Sequence, residues 1–197
     1  LLSAYDIGQA KGLHGIAEGV QNSNFFLTTE QGKFILTLYE PTIDNDDLPF
    51  FLNLMLFLSQ QGIECPLPVS RRDGTMLSNI SDRPAAIITF VNGSGLKSPR
   101  SSHCAEAGAG LAKLHLAGSD FPLSRENNLG HAYWQRFYLP NAARANEVMP
   151  SLASEIENEL DRIAKLWPSD LPSGIIHADL FPDNTFFLDD KLSGIID

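Results

Sequence analysis

The chain has 197 residues, enough to bury a real core and to form one domain or two small lobes. Hydrophobic residues make up 43% and charged residues 19%, a balance that argues against a disordered chain and for a soluble globular one. A formal net charge of -10 repels nucleic-acid phosphate and anionic lipid, so the expected partners include no nucleic acid and no membrane.

The chain opens on Leu1, without Met and without a basic leader, which predicts no signal peptide. Residues 15–24 are small and polar and read as a loop between strands. Residues 24–29 and 34–39 are rich in β-formers and flank Gln31-Gly32, so they predict a hairpin. Asp44 to Asp47 offer N-caps and first-turn acids for a helix over 48–58 that ends near Gly62. Its apolar run is far short of the roughly 18 residues of a membrane span.

Cys65-Pro66-Leu67-Pro68 predicts an extended connector, and Arg72-Asp73-Gly74 a turn. Residues 85–91 form an apolar run of strand length, and 92–95 read as a flexible link. Ser101 or Ser102 is the expected cap of a helix to about residue 116, with Leu111, Leu114 and His115 on one face and His115 buried as a packing residue. Further helices are predicted over 131–148 and 152–166, the latter stopped by Pro168 and Pro172.

The end of the chain reads as an apolar pair, Ile175-Ile176, a polar loop to Asn184, a strand over 185–188, a turn at Asp189-Asp190-Lys191 and a strand over 193–196. The last residue, Asp197, follows Ile195-Ile196 directly, which predicts a piece of a longer protein. Cys65 and Cys104 are too few for a disulfide framework or a zinc site and are expected as reduced thiols in a cytoplasmic protein.

Chemistry concentrates between residues 177 and 197. His177-Ala178-Asp179-Leu180-Phe181-Pro182-Asp183-Asn184 has the form H-x-D-x-x-x-x-N, and a short hairpin then leads to an apolar-flanked Asp. Phosphoryl transfer to a hydroxyl needs an acceptor that orients that hydroxyl and takes its proton, and Asp179 suits the task. It also needs a divalent ion on the phosphate oxygens, and Mg2+ prefers hard oxygen ligands. Asn184 offers a neutral oxygen and Asp197 an anionic one. His177 reads as the residue that fixes the loop by hydrogen bonding.

With these residues the chain resembles the aminoglycoside phosphotransferase and choline kinase superfamily, and within it the homoserine kinase branch. The resemblance also covers 15–24, 34–40, 48–52, 65–68 and 83–86. It implies an α+β, two-lobed, protein-kinase-like fold: an N-terminal lobe over 1–92, with an antiparallel sheet and one helix, and an incomplete, mostly helical C-terminal lobe over 93–197. The implied cofactors are ATP and Mg2+. The implied acceptor is a small molecule with a hydroxyl group, L-homoserine first; choline, methylthioribose, an aminoglycoside or another amino alcohol is the alternative. Adenine would sit at the hinge, on the Thr89 carbonyl and the Val91 amide with Ile88 behind the ring. Gly19, Asn22, Ser23 and Asn24 would lie over the phosphates.

One position departs from the pattern. Many relatives carry Lys or Arg where this chain has Thr37, so the usual cation on the α- and β-phosphates is missing. Lys33 lies nearby and reads as a solvated turn residue. This gap supports a further alternative, a non-catalytic nucleotide-binding module; the retention of Asp179, Asn184 and Asp197 opposes it.

Overall fold

The computed structural model describes residues 1–17, 22–40 and 44–197. They fall into two compact units: residues 1–124 together with 174–197, and residues 125–173.

The first unit holds a five-stranded antiparallel sheet of β1 (Ala10–Gly15), β2 (Asn22–Thr29), β3 (Gly32–Tyr39), β4 (Leu77–Ile80) and β5 (Arg83–Thr89), in the order β1-β2-β3-β5-β4. The expected hairpin is β2–β3, with Thr29 opposite Gly32. Period-two alternation decides which face is buried. Phe25 and Leu27, Phe34, Leu36 and Leu38, and Ala85 and Ile87 fall on one face and meet Tyr5 and Ile7 in a common core. Leu27, Leu36 and Ile87, the large strand side chains buried here, each contribute about 1.5–3 kcal/mol, and the half-buried Phe25, Phe34 and Leu38 less. The Tyr5 hydroxyl keeps a partner inside, Ser78 Oγ at 2.8 Å.

Three parts of the strand reading need correction. β1 and β4 are strands that the sequence reading left unassigned. Asn22 and Ser23 belong to β2, ahead of Asn24, and not to the preceding loop. β5 ends at Thr89, two residues earlier than expected, because the chain then turns toward a second hairpin.

Helix α1 (Leu48–Gln60) matches the reading, with Asp47 as N-cap and Leu48, Leu52 and Leu58 buried. Helix α2 (Ser101–Gly118) is capped differently: the N-cap is Arg100, whose backbone N–H donates to His103 Nδ1 at 3.0 Å. His103 is the buried histidine of this helix and His115 is exposed, which reverses the expectation. A ring three residues into the helix can satisfy the cap, so the serines are not needed for it.

The second hairpin is β6 (Thr185–Leu188) and β7 (Lys191–Ile195). Asp189 and Asp190 both take positive φ, 49° and 64°, the mirror-image turn that matches strand twist. A second core joins this hairpin to both helices: Leu58, Ile63, Leu114 and Ile195, with Cys65, Ile175, Leu180 and Leu192 against it. Burial, and after it Glu64, pushes the Cys65 thiol up to about 11, so it is an unreactive packing group.

The second unit contains α3 (His131–Tyr138), α4 (Ala142–Val148) and α5 (Leu152–Leu166). The single helix expected over 131–148 is broken by a 3-10 turn, Leu139–Asn141, because Pro140 cannot continue the backbone ladder. His131 stacks on Trp167 at 4.1 Å, and Tyr138 Oη lies 3.0 Å from Ala153 O. The lobe boundary expected at 92/93 lies inside the first unit, where Ser94 pairs with Phe187. No helix among the described residues is long and apolar enough to cross a membrane.

Candidate active site

The loop before β6 is closed by its own side chains. The Asp179 N–H donates to His177 Nδ1 at 3.3 Å, and His177 Nε2 lies 2.9 Å from Ile196 O. Because Nδ1 accepts, the proton sits on Nε2 and is donated to the Ile196 carbonyl. The ring therefore ties the loop to the residue before Asp197. Ala178, between His177 and Asp179, is left-handed with φ 68°, a strain that a non-glycine residue keeps only where its surroundings impose it.

Asn184 completes the closure. Its Nδ2 donates to Asp179 O at 2.9 Å and lies 3.2 Å from Asp179 Oδ2. The Phe181 N–H also reaches Asp179 O, at 2.8 Å, and the Asn184 N–H reaches Phe181 O at 3.0 Å. The Ile196 N–H donates to Asn184 O at 3.0 Å. Both backbone groups of Ile196 are thus held by the loop, one by Asn184 and one by His177. The structure brings His177, Asp179, Asn184 and the residue preceding Asp197 into one network, while Asp179 and Asp197 remain exposed.

The donor chemistry of these side chains suits a hard divalent cation. The Asn184 amide nitrogen is occupied, so its oxygen is the atom left to offer, and Asp197 supplies a carboxylate. No cluster of three or more His, Cys, Asp or Glu residues suited to a metal occurs among the described residues. A short protein ligand set is the ordinary case for Mg2+, which fills its remaining positions with phosphate and water.

On the sheet, register decides which nucleotide candidates belong together. Asn24 pairs with Thr37, and Ile35 pairs with Ile88, so Asn24, Thr37 and Ile88 share the face opposite the first core. Thr37 Oγ1 donates to Asn24 Oδ1 at 2.8 Å. Ser23 sits on the other face, where its hydroxyl donates to Glu40 Oε1 at 3.3 Å. Glu40 there pairs with Arg83, Nη2 to Oε1 2.7 Å. Asn22 Oδ1 takes the Glu40 N–H at 3.4 Å. Gly19 lies outside the described residues.

The Arg83–Glu40 pair was missed, although the register that places Thr37 opposite Ala86 puts them side by side. Lys33 is exposed, with Nζ 5.8 Å from the centroid of the Phe90 ring. α1 has no acidic residue, so a lysine at position 37 would find no carboxylate partner on that helix.

At the hinge, the Thr89 N–H donates to Leu67 O at 2.8 Å, but the Leu67 N–H returns to Thr89 Oγ1 at 2.9 Å and not to the carbonyl. A strand residue's N–H and C=O point to the same edge. The hydroxyl therefore takes the place the Thr89 carbonyl would have filled and leaves that carbonyl available.

The closed H-x-D-x-x-x-x-N loop has the pattern of phosphoryl-transfer enzymes. Residues 12–197 match the phosphotransferase enzyme family, and the chain belongs to that family. It is 54% identical over 196 residues to the homoserine kinase of Xanthobacter autotrophicus (strain ATCC BAA-1158 / Py2), a match that covers 100% of this chain and 61% of that protein. The homoserine kinase of Rhodospirillum rubrum is likewise 54% identical over 196 residues, with the same coverage. The chain thus spans 61% of the length of these curated relatives. Among solved structures it resembles spectinomycin phosphotransferase in complex with ADP and spectinomycin, with TM-score 0.71 and 15% identity, over 100% of this chain and 65% of that one. That likeness carries the α+β, protein-kinase-like fold.

Proposed function

We propose that the full-length protein transfers the γ-phosphoryl group of ATP to the hydroxyl of L-homoserine. The observation that carries this reading is the network joining His177, Asp179, Asn184 and Ile196, in a chain 54% identical to homoserine kinases. Residues 1–92 cover the nucleotide, with the base on the Thr89 carbonyl and the Val91 amide and with Ile88 behind it. Residues 93–197 supply the catalytic loop. A cytoplasmic location goes with this reading and with two free cysteines.

Asn184 Nδ2 occupies Asp179 Oδ2, so Oδ1 is the oxygen that faces the acceptor hydroxyl. It orients that hydroxyl and takes its proton as the new O–P bond forms and the bond from the γ-phosphorus to the β,γ-bridging oxygen breaks, releasing ADP. His177 cannot serve as the proton carrier, because both its nitrogens are engaged in holding backbone. Asn184 and Asp197 would hold Mg2+, which supplies positive charge to the phosphate oxygens. Thr37 and Asn24, hydrogen-bonded to each other, present a neutral surface to the phosphates. Positioning and charge screening supply most of the acceleration.

The test is ADP release by the full-length protein with L-homoserine, choline, methylthioribose and an aminoglycoside as acceptors. The expected result is the highest kcat/KM for L-homoserine. Preference for another acceptor would overturn the substrate, and nucleotide binding without turnover on any of them would favour the non-catalytic alternative.

A further inference from the structure

Residues 92–95 look flexible in sequence, yet the structure interlocks them with the β6–β7 hairpin. Ser94 and Phe187 exchange backbone hydrogen bonds of 3.2 and 3.0 Å, and Ser193 Oγ donates to Asn92 O at 2.6 Å. Three glycines permit this approach. A Cβ on Gly194 would fall 2.5 Å from Val91 Cγ1. A Cβ on Gly93 would fall 2.7 Å from Phe187 O, and one on Gly95 2.8 Å from Pro182 O and 2.9 Å from Asp183 Cα. Gly93 also has φ 118°, which only glycine adopts at ease.

The two ends of this interlock are functionally different. Val91 belongs to the segment assigned to the adenine edge. Pro182 and Asp183 immediately precede Asn184. Far apart in sequence, these segments meet closely here: Gly95 lies against the backbone of Pro182 and Asp183, and Gly194 against the Val91 side chain. We infer that Gly95 and Gly194 are positioning residues: Gly95 sets the backbone that delivers Asn184, Gly194 sets Val91, and the interlock fixes the spacing between the nucleotide base and the metal-binding loop. This rests on the nucleotide reading above. Its consequence is that the segment after β5 is no free hinge but a rigid bridge, so that γ-phosphate, Asn184 and Asp179 keep their alignment.

The contacts predict a suppressor. A methyl group on Gly194 collides with a side chain that can itself be shortened, whereas one on Gly95 collides with backbone. The experiment measures affinity for a fluorescent ATP analogue and the Mg2+ concentration giving half-maximal rate, in the full-length protein. Gly194→Ala should weaken nucleotide affinity about tenfold, and Val91→Ala/Gly194→Ala should return to within about threefold of Val91→Ala alone, since displacements near 1 Å cost factors of this size or larger. Gly95→Ala should raise the Mg2+ requirement about tenfold, with a smaller effect on nucleotide affinity.

Wild-type behaviour of both single variants would overturn the inference. So would a double variant no better than Gly194→Ala, or failure of all the variants to fold, which would make the contacts purely structural. Absence of ATP binding in the unaltered protein would instead sink the nucleotide reading itself, so the two failures are distinguishable.

Discussion

β2 and β3 are eight residues each and pair along their whole length without a register shift, whereas β6 has four residues, β7 has five, and their pairing slips between Phe186 and Phe187. The first hairpin buries alternate side chains in the core with Tyr5 and Ile7. The second is bracketed by left-handed residues, Ala178 before it and Asp189 and Asp190 at its turn, and it relies on side-chain bonds from His177 and Asn184 to hold its ends. Regular pairing gives stability without specifying any particular side chain. Irregular pairing costs stability and places particular atoms. The proposed chemistry sits with the second.

The two hairpins should therefore respond to mutation in opposite ways. The largest effect is expected at Asp179. Asp179→Asn should lower kcat by about 10²–10⁴-fold, with an unchanged unfolding midpoint because the side chain is exposed; steady-state ADP release and thermal melting check both halves. Leu36→Ala in the first hairpin should do the reverse. Leu36 is 6% exposed, so a cost of about 2–5 kcal/mol is expected in denaturant unfolding, with the KM for ATP little altered at temperatures where the protein stays folded.

A third variant probes the turn of the second hairpin. Asp190 is held below the usual carboxylate range, first by its hydrogen bond from Arg100 and then by that from His103. The unfolded chain therefore takes up this proton before the folded one does as pH falls. The contribution is complete above the ordinary carboxylate value of about 3.9 and disappears as pH drops through the lower folded value. Asp190→Asn should melt below wild type at pH 7, and the two curves should converge toward and below pH ~3.9. A constant gap across that range would show that the ion pair is not the cause.

The smallest effect is expected at Ala178. Gly in its place removes about 1–2 kcal/mol of left-handed strain and adds about 0.5–1 kcal/mol of unfolded-state entropy. Ala178→Gly should therefore stabilise the protein by up to about 1.5 kcal/mol, measured by denaturant unfolding.

Much of this is legible in the sequence. Periodicity and capping located the β2–β3 hairpin, α1, α5 and the loop from His177 to Asn184, because each carries a local signal. What escaped the sequence depends on partners far along the chain. His103 looks like any helix histidine until Asp190, 3.0 Å from its Nε2, is brought beside it. Arg83 and Glu40 lie in separate segments until β3 and β5 pair. Ser23 and Asn24 look alike as loop residues, and only the pleat sends one to Glu40 and the other to Thr37. Residues 92–95 have the composition of a linker, and nothing local reveals that the hairpin holds them.

The shared ion is tested most directly by Mn2+ binding in the presence of ATP, followed through the EPR signal of free Mn2+, in the full-length protein and in its Asn184→Ala and Asp197→Asn variants. Each substitution should weaken Mn2+ binding by at least about tenfold. Mn2+ affinity unchanged in both variants would contradict the shared ion, because the loop and the hairpin end would then not converge on one cation.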